Sequence, residues 1–210
     1  MERSPRTQKA MPGRAALLGL LTLQAVAFTV TGLVLWRLSG RPNDAFVSFH
    51  TDEIVSGIAL AGVLVGVAYA AFKGLPRLSE RLVRAQADNF AFLEKPLPLW
   101  AIVMVSLGAG IGEEALFRAG VQTLASDYVG VPLAIGIASA LFAIVHLAKS
   151  PIAMIIFAIG VLFGYLYWIS GSLLTVMIAH ALYDVFALWY VQKEMHRLGV
   201  FAPKEGADES

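Results

Sequence analysis

The chain has 210 residues, of which 58% are hydrophobic and 15% charged, with a formal net charge of +1. Its mean hydropathy is +0.70, and a soluble domain of this length could not bury so many apolar residues, which indicates a membrane protein. The small net charge excludes a nucleic-acid-binding surface, and the lack of cysteine excludes disulfides, thiolate metal sites and cysteine nucleophiles.

Six apolar segments approach the roughly 20 residues that a helix needs to cross a bilayer. In chain order they are 15–36, 54–72, 99–125, 131–147, 151–169 and 172–192. The first follows several basic residues, as a signal peptide would, but its apolar run exceeds the usual signal core and predicts a retained span. The sequence therefore predicts an all-α, polytopic membrane helical bundle with about six transmembrane helices. We expect a single domain over 1–210, with its core at about 99–192 and polar tails at 1–14 and 203–210.

Lysines and arginines concentrate in the N-terminal tail, in the connection 73–98 and in the tail after Gln192. Because positively charged loops stay on the cytoplasmic side, both termini are predicted to be cytoplasmic. The short loops and compact length favour a prokaryotic inner or plasma membrane.

Within the connection 73–98, Arg77, Arg81 and Arg84 recur at helical spacing opposite leucines. That pattern fits an amphipathic helix lying in the membrane interface and equally fits a solvated connector with a little helix.

Several ionisable residues fall inside the predicted spans, where a lone charge costs at least roughly 3 kcal/mol. They are Glu113, Glu114, Arg118, His146, His180 and Asp184. Packing explains such a set poorly, because apolar residues would pack without the desolvation penalty. Glu114 and Arg118 lie four positions apart on the third span, which predicts an ion pair on one helix face. Glu113 is rotated by about 100° from Glu114 and is free to face another helix.

Carboxylates and imidazoles on three separate spans predict a hydrolytic site. Glu113 is the predicted general base for a water molecule, and His146 is placed to share the proton or to orient that water. His180 is predicted to stabilise a developing oxyanion directly. Asp184 either orients His180 or, if it stays protonated, donates a hydrogen bond of its own.

Three ordered motifs carry a family resemblance. They are two glutamates followed after three residues by an arginine (113, 114 and 118), a Phe and a His four apart (142 and 146), and a His and an Asp four apart (180 and 184). Each motif alone is weak, but their order on consecutive apolar spans is specific. Over about 99–189 the chain resembles the CPBP family, the CAAX-protease and bacteriocin-processing group of intramembrane endopeptidases.

The resemblance implies an all-helical membrane fold and peptide-bond hydrolysis within or near the bilayer. It implies that Glu113 and His146 activate the water, and that His180 and the residue at 184 stabilise the oxyanion. It also implies that Glu114, Arg118 and Phe142 support the structure of the site. The chain has Asp184 where the eukaryotic prenyl-protein members carry Asn, and an ionised Asp cannot donate a hydrogen bond.

Zinc is an alternative for the same residues, because Glu113, His146, His180 and Asp184 form an oxygen and nitrogen ligand set that suits it. The chain has no His-Glu-x-x-His run, however, and a glutamate-dependent reaction without a cofactor is favoured. The predicted partners are the lipid bilayer and a membrane-associated or lipid-modified protein or peptide substrate, with no nucleic acid.

Other classes stay open. A proton-coupled transporter predicts a continuous polar path, whereas the ionisable residues here cluster, and a non-catalytic binding or immunity protein could use the same scaffold. A rhomboid-like peptidase fits poorly, because it needs a serine in a Gly-x-Ser-Gly setting and Ser172 is not in one. A presenilin-like peptidase also fits poorly, because it needs two intramembrane aspartates and the predicted spans contain only Asp184.

His146 falls about 9 Å to the cytoplasmic side of mid-span, which predicts a tilted or short fourth helix and a site that opens toward the cytoplasmic half.

Overall fold

The computed structural model describes residues 13–148 and 150–202, and in those ranges it contains seven helices and no strand. In chain order the helices are α1 (Arg14–Leu38), α2 (Thr51–Gly74), α3 (Pro76–Ala85), α4 (Leu99–Val129), α5 (Val131–Val145), α6 (Ser150–Ser170) and α7 (Leu173–Arg197). The predicted all-α fold is confirmed. Apart from residues 13 and 14, the tails predicted at 1–14 and 203–210 lie outside the described residues.

Five helices in the described ranges are long and apolar enough to cross a membrane, namely α1, α2, α4, α6 and α7. The remaining predicted span, α5, has only 15 residues, fewer than the roughly 20 of a full crossing. It begins after Gly130, whose φ of +77° allows the tight turn from α4, and it ends directly before His146. The short fourth span that the depth of His146 predicted is therefore confirmed.

The connection between α2 and α4 is partly helical, because it contains α3, and a short helix is compatible with both interpretations of its arginine pattern. The segment 86–98 that follows is fastened to α7 by side chains. Gln192 accepts from the Leu97 amide at 2.8 Å and donates to the Leu97 carbonyl at 3.2 Å, and His196 Nε2 lies 2.9 Å from the Leu93 carbonyl. These bonds hold the segment against the C-terminal part of α7.

Close helix approach positions the residues of α4. At Gly110 a Cβ would lie 2.8 Å from the Met177 carbonyl oxygen, so only glycine lets α4 and α7 come this near. At Gly32 a Cβ would overlap the Ala115 carbonyl, so α1 also approaches α4 closely. These contacts flank Glu113 and Glu114 and bring them toward the polar residues of α7.

The helix α4 changes its winding immediately after the glutamate pair. It is α-helical over Leu99–Glu114 and π-helical over Ala115–Gln122. The Thr123 hydroxyl donates to the Arg118 carbonyl at 2.9 Å, and the Gln122 side chain donates to the Gly164 carbonyl on α6 at 2.9 Å. Segments of π-helix often occur at functional sites, because the extra residue per turn changes which side chains face inward.

Candidate functional site

The two adjacent glutamates of α4 face different surroundings. The Glu114 side chain is 0% exposed, whereas the Glu113 side chain is 12% exposed and lines a cavity. The predicted rotation between them therefore separates a buried carboxylate from one that a ligand can reach.

Glu114 is the centre of a buried polar cluster with Arg118 and His180. Arg118 Nε lies 3.1 Å from Glu114 Oε2, so the predicted ion pair is present, and both side chains are 0% exposed. The other Glu114 oxygen, Oε1, lies 2.8 Å from His180 Nδ1. Because a carboxylate paired with a guanidinium accepts hydrogen bonds, this contact assigns a proton to His180 Nδ1. The second ring nitrogen, Nε2, lies near the carboxylates of Glu113 and Asp184.

Phe142 packs against the other members of this cluster. It is 3% exposed, and its ring centroid lies 5.0 Å from the Arg118 guanidinium carbon. The two terminal nitrogens of Arg118 have no hydrogen-bond partner in the part of the chain that the structure describes, so the ring face supplies the nearby electron density that a buried cation needs. Phe142 also contacts the rings of His146 at 4.7 Å and His180 at 6.2 Å. The supporting role of Phe142 stays a prediction, and these contacts are compatible with it.

His146 is oriented by the end of its own helix. Its Nδ1 lies 2.7 Å from the Phe142 carbonyl oxygen, and because a carbonyl only accepts, Nδ1 carries the proton. In the neutral ring Nε2 then has a free lone pair. His146 and His180 thus have the same arrangement, with Nδ1 bound to an acceptor and Nε2 available.

The available atoms of the two histidines meet at Glu113. Glu113 Oε2 lies 3.9 Å from His146 Nε2 and 3.8 Å from His180 Nε2, and Asp184 Oδ2 lies 3.6 Å from His180 Nε2. These separations exceed a direct hydrogen bond and suit groups bridged by water. The structure therefore brings together all four residues that the sequence singled out for chemistry, from α4, α7 and the end of α5.

Glu113, His146 and Asp184 line one end of a cavity of about 310 Å³. Most of its remaining wall is apolar and comes from α1, α4, α7 and the segment 86–98. Phe90 and Phe92, from that segment, and Gln24, on α1, line this cavity and were missed from sequence. Gln24 carries a recognisable signal, a polar amide inside an apolar span, whereas the two phenylalanines carry none because their segment reads as a connector.

The zinc alternative can be tested against the arrangement of the donors. Within residues 13–148 and 150–202, no group of three or more His, Cys, Asp and Glu residues is arranged to hold a metal ion. The donor atoms are close in pairs, but they do not form one shared coordination centre, so the described residues do not fit a zinc site.

The fold and the site together define a class, a polytopic α-helical membrane protein with a buried glutamate and histidine site. In a comparison with known families, residues 95–186 match the family described as type II CAAX prenyl endopeptidase Rce1-like. This match confirms the resemblance to CPBP endopeptidases found in the motifs and supports an intramembrane protease in general terms. No curated protein and no solved structure matches the chain.

Proposed function

We propose that this protein hydrolyses a peptide bond of a membrane-associated or lipid-modified protein, using a water molecule that Glu113 and His146 activate. One observation carries the proposal: the Nε2 atoms of His146 and His180 lie 3.9 and 3.8 Å from the same Glu113 oxygen. Because each Nδ1 is bound to another acceptor, Nε2 is the nitrogen of each ring that is available for chemistry.

In the proposed reaction a water molecule lies between Glu113 Oε2 and His146 Nε2. Glu113 takes a proton from it as general base, and the resulting hydroxide attacks the carbonyl carbon of the peptide bond. As the C–N bond breaks, the proton passes from Glu113 to the departing nitrogen. The products are a carboxylic acid and an amine, and Glu113 returns to its carboxylate form.

His180 is the proposed stabiliser of the oxyanion that forms during attack. To donate from Nε2 while Nδ1 donates to Glu114, its ring must be protonated on both nitrogens. The Glu114 carboxylate at 2.8 Å and the Asp184 carboxylate at 3.6 Å flank the ring with the negative charge that such a cation needs. On this proposal Asp184 orients His180 and favours its protonated form. Asp184 then does not need to donate a hydrogen bond itself, which an ionised Asp cannot do.

The substrate proposal rests on the lining of the cavity. The cavity that Glu113 lines is also lined by Phe28, Phe90, Phe92 and Leu188, so a substrate with an apolar group near the cleaved bond would fit. Such a group is expected of a polypeptide that reaches the site from the membrane.

Comparing the membrane proteomes of a parent strain and a strain carrying Glu113→Gln tests the proposed function. Proteins that appear cleaved only in the parent are the substrates, and identical proteomes would count against a peptidase.

Activity is expected to survive removal of metal. On the proposed mechanism carboxylate and imidazole groups alone activate the water, so exhaustive chelation of the purified protein should leave the rate of substrate cleavage unchanged. Loss of cleavage that zinc restores, and that magnesium does not, would replace this mechanism with the zinc-dependent one.

The orientation in the membrane is also a proposal, with both termini in the cytoplasm of a prokaryotic cell. The chain has no cysteine, so single introduced cysteines report on sidedness without a background. We expect an impermeant thiol reagent to label Asp44→Cys, between α1 and α2, in intact cells. Lys95→Cys, between α3 and α4, should react only after the membrane is broken. The reverse labelling pattern would invert the topology.

A further inference from the structure

The helix α3 presents three different faces. Ser79 and Val83 are buried against the bundle, whereas Leu75, just before the helix, and Leu78 are 55% and 48% exposed. A third face carries exposed cations at Arg77, Arg81 and Arg84. At about 100° per residue these arginines lie within one arc of roughly 60°, away from both the buried and the apolar faces. We call this arc the α3 basic face.

Aromatic side chains at the ends of α2 and α7 mark the level at which α3 lies. Phe72 and Tyr190 are stacked with ring centroids 4.3 Å apart. Lys73 lies 5.9 Å from the Tyr69 ring, and Lys193 lies 5.2 Å from the Trp189 ring. Tyrosine, tryptophan and snorkelling lysine concentrate where the hydrocarbon core meets the headgroups. This set of residues therefore marks one membrane interface.

The helix α3 is held at this level from both sides. It begins two residues after α2 ends at Gly74, and Glu80 on α3 pairs with Arg197 at the end of α7 at 2.9 Å. Val83 packs in one cluster with Met195 of α7. Its exposed leucines therefore lie at the level that these aromatic and basic residues mark.

Within residues 13–148 and 150–202 the α3 basic face has no ion-paired counter-charge. Glu80, the acidic residue within α3, is already paired with Arg197, and no ion pair in these ranges involves Arg77, Arg81 or Arg84. Three guanidinium groups without an ion pair among the described residues, beside two exposed leucines, match a ligand that has phosphate oxygens above an apolar chain. An acidic protein surface would satisfy the arginines but would leave Leu75 and Leu78 without a suitable partner.

We propose that the α3 basic face binds the headgroups of anionic phospholipids, while the neighbouring leucines contact their acyl chains. Guanidinium groups suit phosphate through paired hydrogen bonds, and each basic side chain near an anionic surface adds favourable binding energy. This surface is separate from the Glu113 site, and the proposal does not depend on the peptidase activity.

The test titrates the delipidated full-length protein, in a non-ionic detergent, with fluorescent phosphatidylglycerol or phosphatidylcholine. We expect the wild type to prefer phosphatidylglycerol by at least about 10-fold at low salt and to lose most of this preference at high salt. In the triple variant R77Q/R81Q/R84Q the preference should fall to about twofold or less. The matched variant R77K/R81K/R84K keeps the charge and should retain most of the preference.

Thermal unfolding of the three proteins shows whether the variants remain folded, which is expected because all three arginines are exposed. An unchanged lipid preference in the folded glutamine variant would overturn the proposal. Tighter binding of a polyglutamate peptide than of phosphatidylglycerol to the wild type would overturn it as well, because that result assigns the face to an acidic protein.

Discussion

Replacing Glu113 by Gln is expected to lower the rate of substrate cleavage by roughly 100- to 10,000-fold, the usual contribution of a general base. The amide has nearly the shape of the carboxylate but cannot accept a proton from water. The cavity and the buried pair of Glu114 and Arg118 should persist, so binding of uncleaved substrate should be retained. The measurement is single-turnover cleavage of a substrate found in the proteome comparison, together with its binding to both proteins.

The matched control is Glu94→Gln, the same chemical change at an exposed position of the segment 86–98. It should cleave substrate at close to the parental rate. Parental activity in the Glu113 variant would remove the base from the proposed mechanism. If the proteome comparison yields no cleaved protein while the parental protein still binds a membrane peptide, a non-catalytic binding protein on the same scaffold is favoured instead.

Replacing Arg118 by Met is expected to destabilise the protein by about 3–5 kcal/mol, as breaking a buried ion pair usually does. Glu114 and Arg118 are both 0% exposed, so loss of the guanidinium leaves a carboxylate that water does not hydrate and that has lost its closest permanent positive charge. The same change frees Glu114 to move, and His180 loses the acceptor that fixes its Nδ1. Unfolding in detergent with increasing denaturant measures the first effect, and cleavage by the folded fraction measures the second.

A double variant separates the ion pair from general packing. Glu114→Gln combined with Arg118→Met keeps an oxygen acceptor for His180 Nδ1 but removes both buried charges. It should recover much of the stability that Arg118→Met alone loses. Arg41→Met is the matched control at an exposed pair, since Arg41 and Asp127 are 34% and 38% exposed. We expect little destabilisation there, because water and salt screen an exposed pair. Equal losses at both arginines would show that burial of the pair is not what stabilises it.

The α-helical membrane fold could be predicted from sequence because each helix enters the bilayer largely according to its own residues. The free energy of placing a helix in the bilayer depends on its own side chains, so runs of apolar residues located the spans within a few residues. The short α5 was also predictable, since the depth of His146 is counted along its own helix. The pairing of Glu114 with Arg118 followed from helical periodicity alone.

The π-helical segment Ala115–Gln122 had no counterpart in the sequence pattern. It lies where Gly32 of α1 meets Ala115 and where Gln122 binds the Gly164 carbonyl, and both are contacts between distant parts of the chain. The positions of Phe90 and Phe92 escaped prediction for the same reason. Their segment becomes part of the cavity wall only through the bonds of Gln192 and His196 to its backbone.

By itself the sequence determined which side chains are ionisable within the membrane and on which helices they lie, because the cost of inserting a charge marks them one by one. Only the tertiary structure decided which of them touch. The close approach at Gly110 places α7 against α4, so that His180 binds Glu114 through Nδ1 and turns Nε2 toward Glu113. Distances and ring orientations of this kind depend on packing between helices, which no periodicity within a single helix contains.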